Sequence, residues 1–323
     1  MNCQINFFRC SGRLSADMLF VYILITFAVI NIAGLIIFSW QNAKRSVKPK
    51  LIPKEREING NKKRGLWLDY DSYDKKDYTV EGKDGYVLHA TFVSTEATRG
   101  TGRYVIICHG HTSSRYGAVK YANCYIKLGF SCVIFDARSH GENAYDKCTL
   151  GYVESEDLKH VIDDTRARHT DVKILGLQGE SMGSTTCIHS LRFDPHVDFI
   201  VSDCAIIGTY EVLYDCYKNV HLQFLVPFCW LFGKLVYGID FKQTDARKYL
   251  AYNKTPILFI HGAGDTFIKP YNASVLYDIA SKGSAHTELI FVEGAGHARS
   301  REVAGFETYT GYIGNFLKNS GII

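Results

Sequence analysis

This chain of 323 residues has no dominant charge. Its formal net charge is +4, and no basic stripe runs through it. That argues against a dedicated nucleic-acid binder, which concentrates Lys and Arg on one face. It has 10 cysteines but no CxxC pair and no regular cysteine spacing, so a disulfide scaffold is a poor fit. Cys108, Cys132 and Cys204 lie in or beside apolar strand-like runs and read as small buried hydrophobes of a reducing compartment. Internal repeats and long low-complexity stretches are also missing, which argues against a solenoid or a disordered array. What is there, 46% hydrophobic and 22% charged residues, is an ordinary globular composition. The length suits one domain of about 250 residues plus extras.

The first extra is an apolar run. Residues 19–40, LFVYILITFAVINIAGLIIFSW, carry no charged side chain. At about 1.5 Å per residue they reach across the roughly 30 Å hydrocarbon core of a bilayer. The run is longer than a signal-peptide core of about 7–15 residues, and no clear small-x-small cleavage site follows it. It is expected to be an uncleaved single-pass anchor, with residues 1–18 as its N-terminal flank. Arg9 and Arg13 precede it; Lys44, Arg45, Lys48, Lys50, Lys54 and Arg56 follow. The positive-inside rule then puts the C-terminal part in the cytoplasm, although a large domain can be translocated against such charges. The extracytoplasmic side is the alternative. Residues 41–73 are polar, basic and punctuated by Lys48-Pro49-Lys50 and Ile52-Pro53-Lys54. They read as a stalk or linker, while Leu66-Trp67-Leu68 would permit packing on the domain instead.

The remainder alternates. Residues 78–81 and 86–93 look like an opening hairpin that turns at Lys83-Asp84-Gly85. Short runs rich in Val, Ile or Phe follow at 104–108, 131–135, 172–177, 199–202, 256–260 and 288–292, as strands buried on both faces should be. Helical stretches lie between them, at 118–128, 154–169, 182–193 and 271–281. This pattern predicts an α/β domain over residues 74–323, a mostly parallel twisted sheet with helices on both faces. Reactive groups in such sheets gather at the carboxyl ends of the strands.

One of those ends carries Gly179-Glu180-Ser181-Met182-Gly183, which fits Gly-x-Ser-x-Gly. A strand that turns sharply into a helix lifts the serine hydroxyl into the open. Gly179 and Gly183 allow the tight turn and close backbone approach that a Cβ would block. Alone, the pattern is equally a glycine-rich turn with a solvated serine. Two later strand ends change that reading: Asp265 follows the run at 256–260, and His297 follows the run at 288–292. The order Ser, Asp, His is the one this topology needs for convergence. His297 would take the Ser181 proton and return it to the leaving group, with Asp265 holding the imidazole in its productive tautomer. The oxyanion would fall to the backbone amides of Met182 and of His111, just past the strand at 104–108. His109 and His111 also form an HxH pair, but no distant ligand set accompanies them. No metal and no cofactor is expected.

Together, His109-Gly110-His111, Asp136-Ala137-Arg138-Ser139-His140-Gly141, the serine pentapeptide, His261-Gly262-Ala263-Gly264-Asp265 and Gly296-His297 resemble the α/β-hydrolase superfamily. Within it the chain looks most like the serine aminopeptidase S33-type group and the membrane-anchored bacterial hydrolases labelled with it. One departure is Ser139, where that loop usually has glycine. The resemblance implies an α/β-hydrolase fold with a short helical cap, here at about residues 206–253, preceded by one transmembrane helix. Asp136 and Arg138 read as a structural ion pair or loop anchor.

The cap segment is aromatic. Tyr210, Tyr214, Phe224 and Phe228 are expected to wall an apolar substrate pocket, although the same side chains would also serve to pack the cap on the sheet. A dip of residues 225–236 into the membrane surface would suit a lipid or acylated-protein substrate. The expected activity is a serine hydrolase that acts through an acyl-enzyme on a carboxylic ester or thioester with an apolar acyl group. Its partners are then the membrane, through residues 19–40, and a small acyl ester, lipid or acylated protein. An aminopeptidase-like serine peptidase is the alternative, with Glu211 and Asp215 available for a peptide N-terminus. A non-catalytic binding protein on the same fold is a third reading, against which an intact triad argues.

Overall fold

The computed structural model describes residues 15–323; Arg9 and Arg13, used above for orientation, lie outside the described residues. Strands β1 (Asp74–Glu81), β2 (Val87–Ser94), β3 (Arg103–Cys108), β4 (Ser131–Phe135), β5 (Ile174–Glu180), β6 (Phe199–Asp203), β7 (Ile257–Gly262) and β8 (Thr287–Val292) form one eight-stranded sheet. Its order is β1-β2-β4-β3-β5-β6-β7-β8. β2 runs antiparallel to both β1 and β4, and every other pair is parallel. The chain winds from β3 to β4 on one side, then returns to β5 on the other. β3 and β5 therefore flank the point where the winding reverses, where a crevice opens outside the strand ends. Cys108 pairs with Gly179 and Glu180 with Asp203, so the loops after β3, β5 and β6 emerge side by side.

Side chains alternate across the sheet with the period of two that strands impose. Tyr104, Ile106 and Cys108 of β3 pack with Leu158, Val161 and Ile162 of α4 (Tyr152–Arg168) and with Cys187 and Ile188 of α5 (Met182–Ser190). Val105 and Ile107 turn the other way, to Tyr121 and Tyr125 of α3 (Val119–Lys127) and to Ile313 and Phe316 of α10 (Phe306–Asn319). Helix α8 (Tyr271–Ala280) joins the first layer through Leu276 and Ala280, and the short α9 (Ser300–Ala304) precedes α10. Each fully buried aliphatic or aromatic side chain contributes about 1.5–3 kcal/mol. β3, β5 and β7 are covered on both faces, which is why they read as continuous apolar runs. Between β6 and β7 the chain forms the helical cap, α6 (Thr209–Lys218) and α7 (Val226–Tyr237).

The N-terminal region departs from the sequence reading. Helix α1 (Ala16–Val47) spans 32 residues and runs without a break past the apolar segment. It is long and apolar enough to cross a membrane. Its last turns are not a free stalk: Ser39, Ala43 and Val47 are buried, Ala43 and Val47 in one apolar cluster with Cys148, Leu150, Met182 and Tyr237 of α7, and Cys229 Sγ of α7 donates to the Ser39 carbonyl at 3.4 Å. Small residues at this seam let the two helices approach closely. Residues 41–73 as a whole are folded onto the domain. The Ile52 amide donates to the Thr112 carbonyl at 2.9 Å. In α2 (Lys54–Lys63), buried Glu57 accepts from the Ser113 and Ser114 hydroxyls, and Asn61 donates to the Tyr116 carbonyl at 3.0 Å. Leu66, Trp67 and Tyr70 are buried beyond it. The linker reading failed because the buried stripe of α2 is polar, Glu57 and Asn61 one turn apart, and leaves no apolar periodicity to read.

Candidate active site

Ser181 sits between the end of β5 and the start of α5 with φ 53° and ψ −116°, a strained conformation for a residue with a Cβ. The neighbours enforce it. A Cβ at Gly183 would run into the carbonyl oxygen of Cys108, and one at Gly179 into the backbone of Gly183 and Ser184. The Ser181 amide donates to the Asp203 carbonyl at 2.8 Å, which fixes the turn against β6. Its hydroxyl lies 3.0 Å from His297 Nε2. His297 Nδ1 lies 2.7 Å from Asp265 Oδ2. The three residues that the strand-end order brings forward are thus in hydrogen-bond contact in the order serine, histidine, aspartate.

Asp265 is buried and held on all sides. Its Oδ1 accepts the amides of Phe267 and Ile268, both at 2.9 Å. His261 Nε2 stands 3.4 Å from Oδ2 and also 2.8 Å from the Ile268 carbonyl. Burial works against ionisation of this carboxyl, but the hydrogen bonds from His261, His297 and the Ile268 amide outweigh it and hold its pKa well below the usual carboxylate range. The ring of Phe267 meets that of His297 edge to face, 5.1 Å between centroids.

No family model matches the chain. It is 26% identical over 281 residues to the uncharacterized protein YqkD of Bacillus subtilis, covering 85% of this chain and 88% of that one. Among solved structures, the Pyrococcus furiosus esterase Pf2001 aligns with a TM-score of 0.65 at 25% identity, over 79% of this chain and 94% of the esterase. The chain has the α/β-hydrolase fold. Pyrococcus horikoshii acylaminoacyl peptidase aligns with a TM-score of 0.59 at 14% identity, over 77% of this chain but 42% of the peptidase. A Xanthomonas campestris α/β serine hydrolase without a lid aligns with a TM-score of 0.53 at 17% identity.

In this hydrolase fold the loop after β3 packs against the serine turn. A Cβ on Gly110 would lie 3.6 Å from that of Ser181. His111, Ser181 and Met182 line one cavity of about 400 Å3, within the usual range of about 300–1,000 Å3 for ligand pockets. Met182 opens α5, and helix N-termini present free backbone N–H groups. The His111 ring points away from this role: its Nε2 lies 3.2 Å from the Ser46 carbonyl of α1, and burial lowers its pKa.

The cavity wall differs from the expectation. Tyr210, Tyr214, Phe224 and Phe228 do not line it; Val212, Leu213, Cys216, Tyr217 and Val220 do. The helical register of α6 turns 209, 212, 213, 216 and 217 inward and puts Tyr210 and Tyr214 on the other side. Phe224 and Phe228 are exposed on the cap. The reading by aromatic content missed this register. It also missed α1, which supplies Phe38, Asn42, Arg45 and Ser46 to the same cavity.

Behind Ser181 lies a buried charged network that the motif leaves unread. Lys120 pairs with Glu180, and the Tyr121 hydroxyl donates to Glu180 at 2.6 Å. Asp203 accepts from Tyr309 at 2.8 Å and from Ser300 at 2.9 Å. Burial and the adjacent Glu180 raise the Asp203 pKa, with Lys120 opposing. Lys120 also donates to the Ala298 carbonyl at 3.0 Å, beside His297, so the network braces the serine and histidine loops together. Charged residues at the ends of otherwise apolar strands were its only sequence signal. Asp136 and Arg138 anchor their loop without pairing with each other. Asp136 pairs with Arg115, and Arg138 with Asp157 at 2.8 Å and Asp146 at 2.9 Å. Ser139 has φ 64°, the conformation that explains why glycine is usual there. Among the described residues, His111, His140 and Cys148 come nearest to a ligand set, with their atoms within 4.8 Å of one another. Burial pushes the Cys148 thiol pKa up.

Proposed function

We propose that this protein is a serine hydrolase that cleaves carboxylic esters or thioesters of an apolar acyl group. The observation that carries the reading is the Ser181–His297–Asp265 hydrogen-bond chain, whose Ser181 lines a mostly apolar cavity. Ser181 Oγ attacks the acyl carbon while its proton passes to His297 Nε2. Asp265 stabilises the imidazolium through Nδ1–H. The amides of His111 and Met182 receive the developing oxyanion, a contribution of about 3–4 kcal/mol for one donor in a comparable site. Collapse breaks the bond to the leaving alcohol or thiol, which takes the proton from His297. Water then repeats the sequence on acyl-Ser181 and releases the acid. An ester of an apolar acyl group is favoured over a peptide because most of the cavity surface is apolar. The fold also aligns along almost the whole of an esterase, but along less than half of a peptidase.

A fluorophosphonate probe is expected to label the wild type and not Ser181→Ala. Equal labelling of the two would reject the nucleophile. Turnover of aminoacyl amides well above that of acyl esters would replace the esterase by a peptidase. Residues 19–40 serve in this reading as a single-pass anchor, with the catalytic domain in the cytoplasm on the positive-inside argument. A C-terminal epitope should then resist protease added to intact cells, and its digestion would place the domain outside.

A further inference from the structure

The anchor helix is also a wall of the substrate cavity. Phe38, Asn42, Arg45 and Ser46 lie along one stripe of α1, and all four line the cavity that holds Ser181. Phe38 belongs to the apolar run, two residues from its end, and its ring meets Tyr217 of the cap edge to face at 5.8 Å. Arg45 stands about 10 Å further along the helix axis. The stripe thus begins inside the segment long enough to span a bilayer and ends on the wall of the cavity that Ser181 also lines. Nothing polar except Asn42 interrupts it before Arg45. Arg45 forms no ion pair among the described residues, so its guanidinium is free to meet an anionic or polar group in the cavity it lines.

The cap shows a second face suited to the same surface. α7 packs on α1 through the Cys229–Ser39 contact and leaves Phe228, Leu231 and Leu235 exposed, Leu235 by 73%. Their spacing of three and four residues makes one apolar stripe. It lies beside the helix that would enter the membrane, so the cap can rest its apolar side on the lipid surface while α6 faces the cavity.

We infer that the substrate is a membrane-resident lipid ester whose acyl chain slides from the bilayer along the α1 stripe to Ser181, with its head group held near Arg45. This rests on Ser181 being the nucleophile. It also requires α1 to remain in the mature protein, since cleavage after the apolar run would remove the buried Ser39 and the wall residue Phe38. The full-length chain in phosphatidylcholine vesicles provides the test. A fluorophosphonate with a long alkyl tail ending in a diazirine forms a phosphorus–oxygen bond to Ser181 as fluoride leaves. Light should then crosslink the tail to residues 38–46. Crosslinks confined to the cap or the β3 loop would overturn the lateral path, and this arm needs no variant. In a second arm, Asn42→Trp should lower kcat/KM for 1-oleoylglycerol in the vesicles at least tenfold more than for 4-nitrophenyl butyrate in solution. Equal effects on both esters would reject α1 as the chain's guide. Turnover of an S-palmitoylated peptide with none of 1-oleoylglycerol would reject a lipid in favour of an acylated protein. Failure of the short probe to label Ser181 would remove the nucleophile itself, a result distinct from labelling without crosslinks to α1.

Discussion

At the residue scale, burial is put to opposite uses by Asp265 and His189. Asp265 is surrounded by donors, so burial does not stop it from remaining charged beside His297. His189 on α5 is buried between the rings of Tyr152 and Tyr249, with its Nε2 3.1 Å from the Thr244 carbonyl. Burial, reinforced by Arg192 and opposed by Thr244 and Asp245, pushes its pKa down to about 3. His140 is pushed down to about 3 as well, first by burial and then by His109. An unfolded histidine takes up its proton near pH 6.5. A folded-state pKa below that value contributes stability above pH 6.5, which is lost as pH falls toward 3. The detergent-solubilised chain should therefore lose stability between pH 6 and 5, above the range where most carboxylates titrate. His189→Gln keeps a donor for Thr244 and removes one titration. It should flatten the slope by up to about 1.4 kcal/mol per pH unit, read from urea midpoints by tryptophan fluorescence. An identical slope in wild type and variant would mean that His189 protonates in the folded chain.

At the element scale, the strand–turn–helix unit at β5 and α5 was legible from sequence, and so was the set of strand ends. Buried parallel strands give apolar runs that need no partner to be recognised, and the serine turn needs small residues at fixed offsets. Side-chain identity does not say which glycine is needed, and here two glycines of the site differ. A Cβ at Gly183 would strike the Cys108 carbonyl and come within 2.6 Å of the His109 carbonyl, both backbone atoms of β3 and its loop. At Gly296, next to His297, nothing lies within 4 Å. Gly183→Ala is expected to cost about 1–3 kcal/mol as overpacking and to slow fluorophosphonate labelling by forcing the serine turn away from β3. Gly296→Ala should be neutral or stabilising by up to about 1 kcal/mol. Thermal midpoints of the two variants decide the matter, and similar losses in both would contradict the difference in their surroundings. The cap was legible as an insertion but not in its facing, because aromatic content marks apolar surface without marking helical register. Tyr217 and Leu213 face the cavity, while Tyr214, between them in sequence, faces out.

At the scale of the whole molecule, the sequence divides at residue 73 and the structure does not. Read by composition, residues 74–323 are the domain and the polar stretch before them is a tether. Folded, that stretch is part of the core. Trp67 and Tyr70 pack with Tyr121, Tyr125 and Phe130, and Glu57 and Asn61 satisfy groups of the loop that carries His111. Buried Leu66, Trp67 and Tyr70 alone represent about 1.5–3 kcal/mol each, against a total stability of about 5–15 kcal/mol for an ordinary domain. A fragment of residues 74–323 should therefore fail to melt cooperatively or accumulate insoluble. A fragment of residues 49–323 keeps α2 and the Trp67 region but uncovers the surfaces of α7 and of the Cys148 loop that Ser39, Ala43 and Val47 cover. It should fold with a lower midpoint than the full chain. Compared in one detergent by fluorescence, the expected ranking is the full chain, then 49–323, then 74–323. A 74–323 fragment that melts with the full chain would restore the tether reading. The predicted ranking would instead make α1, the α2 brace and the hydrolase-fold domain one cooperative unit, so that the position of the apolar helix and the shape of the cavity cannot be varied independently.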